Sequence, residues 1–261
     1  MKILFLGDIV GKPGRLAVRS ILPRLIASEK VAFVIANCEN VAGGKGVEPK
    51  TVAELLEAGI DVLTSGNHIW RNKEICEFIE REPRLLRPAN YPPGVPGAGT
   101  VVRETPEGHS IAVLNLLGRV FMDDVDCPFQ SAQRLVAELR REATVVIVDM
   151  HGEATSEKAA MGWMLAGRVA AVIGSHTHVQ TADERVLPGG TAYVTDAGMC
   201  GPIDSVIGVR REQVIQRFLT HMPAKFEVAS GPVSVQGVIV EVDPATGTAT
   251  GISRLQERVE R

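Results

Sequence analysis

The sequence predicts an α/β protein, a four-layer α/β/β/α sandwich of two mixed β-sheets packed together with helices outside. Three observations carry that expectation. Apolar runs of four to seven residues alternate with longer segments of helical period over the first eighty residues, which calls for parallel strands and right-handed crossovers. Two later pairs of strand-like runs, each broken by a short turn segment, read as hairpins. The 261 residues, 45% hydrophobic and 23% charged, are ample for a real core and exclude disorder as the dominant state. With no internal repeat or low-complexity linker, a single domain spanning residues 1–261 is expected.

Taken in order, residues 3–6 form a short strand. Residues 15–28 space Leu16, Ile21, Leu22, Leu25 and Ile26 as a helix face does, with Pro23 predicting a kink or break. Residues 31–36 are the second strand. Residues 48–58 form a helix stopped by Gly59 in the left-handed position. Residues 60–64 are a third strand and 73–80 a third helix. Residues 85–99 carry Pro88, Pro92, Pro93 and Pro96 and read as a long surface excursion, a lid or a subunit contact. A hairpin follows at 100–105 and 110–117. Beyond it come a helix at 129–142, a buried strand at 144–150, a helix at 156–166 and a strand at 170–173. Residues 198–202 read as a loop, and Arg210, Arg211, Arg217 and Lys225 as the charged face of a surface helix. The tail, 233–242 and 248–255, is a second hairpin.

The 28 Lys plus Arg against 31 Asp plus Glu give a charge of −3, so no strong nucleic-acid footprint is expected. The N-terminal apolar run is far too short for a signal or spanning segment, and the chain is expected to have no membrane partner. Cys38, Cys76, Cys127 and Cys200 form no Cys-x-x-Cys pair and read as reduced thiols, which points to the cytosol.

Five of the apolar strands end in metal-competent side chains. Asp8 follows the first; Asn37, Glu39 and Asn40 the second; Asn67 and His68 the third; Asp149 and His151 the strand at 144–150; His176 and His178 the strand at 170–173. Each alone has a plainer reading. Asp8 and Glu39–Asn40 suit turns, Asn67 suits a helix cap, and two imidazoles two residues apart are the strongest sign. Together, at the carboxyl ends of strands where α/β sites form, they predict a polynuclear metal site.

These stretches resemble the calcineurin-like metallophosphoesterases, in the order Gly7–Asp8–Ile9–Val10–Gly11, Cys38–Glu39–Asn40, Gly66–Asn67–His68, His151 and His176–Thr177–His178. Two departures, Val10 for a histidine and Glu39 for a bridging aspartate, are similar to the YmdB-like phosphodiesterase branch, as is 196–201 (Asp-Ala-Gly-Met-Cys-Gly). That resemblance implies hydrolysis of small phosphodiesters, with 2′,3′-cyclic nucleotides as the expected substrates, and two metal ions per chain, iron or manganese.

Beside it, the residues themselves suggest a mechanism. One ion takes Asp8, Glu39, Asn40 and His178; its partner takes Glu39, Asn67, His151 and His176, with Glu39 as the bridge and a bridging hydroxide as nucleophile. His68 is expected to be the general acid, the alternative being a hydrogen bond to Asn67 or a carboxylate. Asp149 and Asp196 are candidates to orient ligand histidines, and Cys200 reads as a packed thiol. A broad-range phosphomonoesterase, a mononuclear hydrolase and a metal-containing nucleotide- or RNA-binding regulator remain as alternatives. A homo-oligomer is expected on general grounds.

Overall fold

The computed structural model describes residues 1–260. Among them are thirteen strands and six α-helices. The first part runs β1 (Lys2–Leu6), β2 (Asp8–Ile9), α1 (Gly11–Glu29), β3 (Val31–Asn37), α2 (Pro49–Glu57), β4 (Val62–Thr64) and α3 (Ile75–Phe78). The middle runs β5 (Thr100–Glu104), β6 (Ser110–Leu117), α4 (Pro128–Leu139), β7 (Val145–His151), α5 (Thr155–Leu165) and β8 (Ala171–Ser175). The last part runs β9 (Arg185–Leu187), β10 (Thr191–Val194), β11 (Met199–Pro202), α6 (Arg211–Thr220), β12 (Val233–Asp243) and β13 (Thr248–Val259).

Both sheets are mixed. The first has the order β2-β11-β12-β1-β3-β4, with β13 paired on β12; the second is β5-β6-β7-β8-β10-β9. As the βαβ order requires, β1, β3 and β4 are parallel. Along one edge β12 pairs antiparallel with β11 (through 233–235) and then with β1 (through 237–241), while β13 pairs along its other edge.

Period-two alternation assigns each side chain to a layer. In β1, Ile3 and Phe5 face the second sheet and pack with Ile111, Val113, Ile147 and Ile173, while Leu4 and Leu6 join Val18, Leu22 and Leu25 of α1. In β7, Val146 and Val148 face α4 and α5, meeting Val136, Met161 and Leu165. Three apolar seams thus separate four layers, as the sequence predicts. No helix is long and apolar enough to cross a membrane among the described residues.

Several local expectations need correction. Helix α1 runs unbroken through Pro23. Proline frees the carbonyl of Arg19, but both residues lie on the exposed side, where water satisfies it, while Ile21, Leu22 and Leu25 hold the other face on the sheet. The helix expected at 73–80 shrinks to the four residues of α3. The excursion at 85–99 lacks regular structure but is no mere surface loop. Leu85, Leu86 and Asn90 are buried, and Asn90 bonds Leu117 and Asp126. The loop expected at 198–202 contains β11, parallel to β2, because the site loop carrying Asp8 extends the first sheet. Lys225 lies beyond α6, which ends at Thr220.

Candidate metal centre

Every strand that the sequence singles out ends at one place. Asp8 follows β1 across Gly7, whose missing side chain lets the carbonyl of Gly198 approach: a Cβ there would lie 2.1 Å from that oxygen. Glu39 and Asn40 follow β3, Asn67 and His68 follow β4, His151 closes β7, and His176 and His178 follow β8. The parallel strands point their carboxyl ends the same way, so residues 168 positions apart meet: the backbone N–H of His176 donates to Asp8 Oδ2 at 3.0 Å.

Glu39 is the hub. Its Oε1 lies 3.3 Å from His151 Nε2 and 3.1 Å from His68 Nδ1, and its Oε2 accepts the His68 backbone N–H at 3.0 Å. The Asn40 amide sits 3.4 Å from both Asp8 Oδ1 and Glu39 Oε1, and 3.0 Å from His178 Nε2. As placed, its nitrogen faces that trio and its oxygen faces His68 Nδ1 at 2.9 Å; a half-turn of the amide exchanges the two. His176 Nδ1 approaches His151 Nε2 at 3.0 Å, and Glu39, His151 and His176 offer donor atoms within 4.8 Å of one another.

The imidazoles are pre-oriented. His178 Nδ1 donates to the carbonyl of Ile207 at 2.8 Å, which turns Nε2 inward, 3.7 Å from Asp8 Oδ1. Ser175 Oγ donates to Asp149 Oδ1 at 2.6 Å and so accepts from His151 Nδ1 at 2.9 Å, again leaving Nε2 for the centre. Glu153 Oε2 lies 3.3 Å from His176 Nε2, which leaves Nδ1 inward. Asp149 therefore acts on His151 through Ser175, and Asn37 Nδ2 braces Asp149 Oδ2 at 3.3 Å. Asp196 orients histidines at one remove. Its Oδ2 accepts the N–H and hydroxyl of Thr177, between His176 and His178, and it pairs with the wholly buried Lys158 at 2.9 Å.

Burial opposes ionisation of Asp8 and Glu39, yet His178 holds the first carboxyl below its ordinary value and His151 holds the second well below. Against burial, Glu39 in turn lifts His151 to about 9, whereas burial and the charge of His151 press His176 down to about 4. Two carboxylates are thus kept ionised in a dry cleft by the imidazoles beside them.

The residues fit cations. The donors are carboxylate, amide and imidazole atoms with no thiolate, a set suited to iron, manganese or cobalt. Asn67 Oδ1 is buried without a hydrogen-bond partner among the described residues. Gly66 leaves a cradle: a Cβ there would lie 2.2 Å from His151 Nε2 and 2.4 Å from Glu39 Oε2. At the position where a histidine is missing, Val10 is buried against Gly201 and Gly208. Cys200 is a packed thiol, its Sγ donating to Gln236 O and its pKa pushed by burial up to about 12.

Sequence reasoning missed Ser175, Glu153 and Lys158. Ser175 and Glu153 adjoin predicted ligands but are of types common in any turn, and Lys158 lies on a helix, where a charged residue reads as solvated.

Comparison with known proteins identifies the family. The profile of the family described as YmdB-like protein matches residues 4–255. A 2′,3′-cyclic-nucleotide 2′-phosphodiesterase of Bacillus subtilis (strain 168) is 48% identical over 256 residues, 98% of this chain and 96% of the relative. A crystal structure of a hypothetical protein from Thermus thermophilus superposes with a TM-score of 0.93 at 40% identity, covering 100% of both chains. That of a novel phosphatase from Mycoplasma pneumoniae superposes with a TM-score of 0.92 at 36% identity, covering 100% of this chain and 94% of the other. A match along nearly the whole sequence places the chain in the YmdB-like family.

Proposed function

We propose that the chain is a metal-dependent phosphodiesterase acting on small phosphodiesters, with 2′,3′-cyclic nucleotides as substrates and the 2′ ester as the bond broken. The observation that carries this reading is the convergence of Asp8, Glu39, His151, His176 and His178 on one buried cluster. The substrate follows from the name of the Bacillus subtilis relative.

Asp8, Glu39, Asn40 and His178 would hold one ion; Glu39, Asn67, His151 and His176 would hold a second, with iron or manganese the best match to the donors. Bound divalent ions supply Lewis-acid polarisation of a phosphoryl oxygen and make water a nucleophile at neutral pH. His68 supplies the proton. Glu39 and Asn40 anchor its Nδ1, so Nε2, which carries no hydrogen bond among the described residues, is left to protonate the leaving alkoxide. Asp149, through Ser175, and Glu153 fix the ligand tautomers. We read the whole chain as one domain working in a reducing compartment, a view supported by its four free cysteines.

The test is hydrolysis of 2′,3′-cyclic AMP by protein reconstituted with Mn²⁺ or Fe²⁺, with metal content measured alongside. Formation of the 3′-nucleotide with about two ions per chain is expected. Preferential cleavage of para-nitrophenyl phosphate over its bis-ester would support a phosphomonoesterase instead. Stoichiometric nucleotide binding without product would support a regulator.

A further inference from the structure

Residues 118–126 leave the carboxyl end of β6 and pass beside the centre before α4 begins. Strand β6 runs parallel to β7 with Leu117 opposite His151, and Gly118 N donates to His151 O at 2.8 Å, so the segment starts alongside that imidazole-bearing residue. Arg119 O accepts from Met122 N at 3.2 Å and closes a turn over 119–122. Its third position, where φ is positive and glycine or asparagine is usual, is held by Phe121 at φ 61°, and this residue is 89% exposed. Two anchors maintain the conformation. The buried Glu157 carboxylate accepts Arg119 N at 3.0 and 3.1 Å and Val120 N at 3.2 Å. Asn90 Nδ2 donates to Leu117 O at 2.8 Å and to Asp126 O at 2.9 Å, which fastens both ends of the segment. A bulky apolar ring on a strained turn, held out in solvent, is explained by what it meets and not by packing.

Position and charge indicate what that is. Tyr91 adjoins Asn90, and burial pushes its phenol up to about 12, with the carboxylates of Asp123 and Glu39 adding to the shift. One hydroxyl thus feels both the turn and the hub of the centre. Phe121 lies in the chain between Gly118 and Asp123, each tied to the cluster in this way. From Gly118, three residues of chain span at most about 11 Å, a gap that the sugar of a mononucleotide bridges when its phosphate sits on the cluster. Asp123, Asp124 and Asp126 follow the ring and Arg119 precedes it, a balance that repels further phosphates or anionic lipid and suits an uncharged heterocycle. We propose that Phe121 is the platform on which the nucleobase of the substrate stacks, a specificity-determining contact that rests on the phosphodiesterase reading above. Every base has a π-face, so such a platform selects nucleotides over other phosphodiesters without selecting among bases.

Calorimetric titration of Mn²⁺-loaded protein with 3′-AMP and with glycerol 2-phosphate, which has no base, tests this, beside hydrolysis of 2′,3′-cyclic AMP and glycerol 1,2-cyclic phosphate. Phe121→Ala should weaken 3′-AMP about tenfold relative to glycerol 2-phosphate, the effect of one lost stack, and should raise KM for cyclic AMP by a like factor with kcat held. Phe121→Trp should keep the wild-type preference. Far-UV circular dichroism checks both, and Phe121→Gly, which relieves the turn, repeats the loss if the alanine variant fails to fold. A wild type that binds 3′-AMP no tighter than glycerol 2-phosphate, wild-type affinities in Phe121→Ala, or an equal loss for both ligands would each overturn the proposal. A base preference lost in Phe121→Ala, with neither ester turned over by the wild type, would uphold the platform and sink the hydrolase reading. Turnover of cyclic AMP with KM untouched by Phe121→Ala would do the reverse.

Discussion

Replacing Lys158 by Met removes the ammonium that pairs with Asp196 in a site where both side chains are fully buried. Breaking such a pair by deleting one partner typically costs about 3–5 kcal/mol. Asp196 would keep three donors, Thr177 N, Thr177 Oγ1 and Gly198 N, which puts the expected loss near the lower end, ~3 kcal/mol. At about 2–4 °C per kcal/mol for a chain of this size, Tm should fall by roughly 6–12 °C. The loss should depend on pH. Burial raises the Asp196 carboxyl above its ordinary value and the Lys158 ammonium pulls it back. A carboxyl so raised contributes stability that is full below its unfolded value, about 3.9, and lost as pH rises through the folded value. Without Lys158 the folded value moves higher, so the gap to wild type should be wider at pH 7.5 than at pH 5. The pair also anchors the turn in which His176 (φ 102°) and His178 (φ 64°) adopt left-handed backbone conformations, strained for non-glycine residues. Mn²⁺ affinity should therefore drop by about 10–100-fold, as for other groups that orient ligands. Thermal melts and calorimetric Mn²⁺ titration of Lys158→Met, Asp196→Asn and the double variant complete a cycle. Single-variant losses that add within ~0.5 kcal/mol, with unchanged Mn²⁺ affinity, would refute the reasoning.

Three further outcomes follow from the site. Gly66→Ala should fold, yet lose Mn²⁺ and about 100-fold or more in turnover, because its Cβ intrudes on His151 and Glu39; metal analysis beside circular dichroism checks it. His68→Ala should retain its metal and lose about 10²–10⁴ in kcat, and full activity in metal-replete variant would remove the acid from the mechanism. Glu153→Gln should weaken Mn²⁺ binding by about tenfold, the small end for an orienting carboxylate that is itself half exposed; a calorimetric titration matching wild type would dismiss that role.

Much of this was legible because the fold reads its strands from local chemistry. Runs such as Val145–Val148 admit few other states, and the residues that follow each run fall at the sheet's carboxyl edge wherever the strands are parallel. Legibility fails where long-range pairing decides. The two-residue β2 exists only because β11 lies beside it, almost two hundred positions later. Pro23 looked disruptive because nothing in its neighbours shows which carbonyl faces water. Lys158 could be understood only once Asp196 was known to lie beneath α5. The supporting residues of the centre are harder to find than its ligands, since a serine or glutamate acquires its role from what it faces.

The placement of β12 bears on how the protein is made. One edge of this strand carries β11 and then β1, yet it lies more than two hundred positions beyond β1 in the chain. A chain emerging from the ribosome must carry β1 with one unpaired apolar edge until residues 237–241 are free, so closure of the first sheet waits on a pairing of very long sequence separation. Pairing of such high contact order is slow, and an open edge recruits foreign strands. Chaperone protection during synthesis, and irreversible aggregation of chains truncated before β12, are the natural consequences.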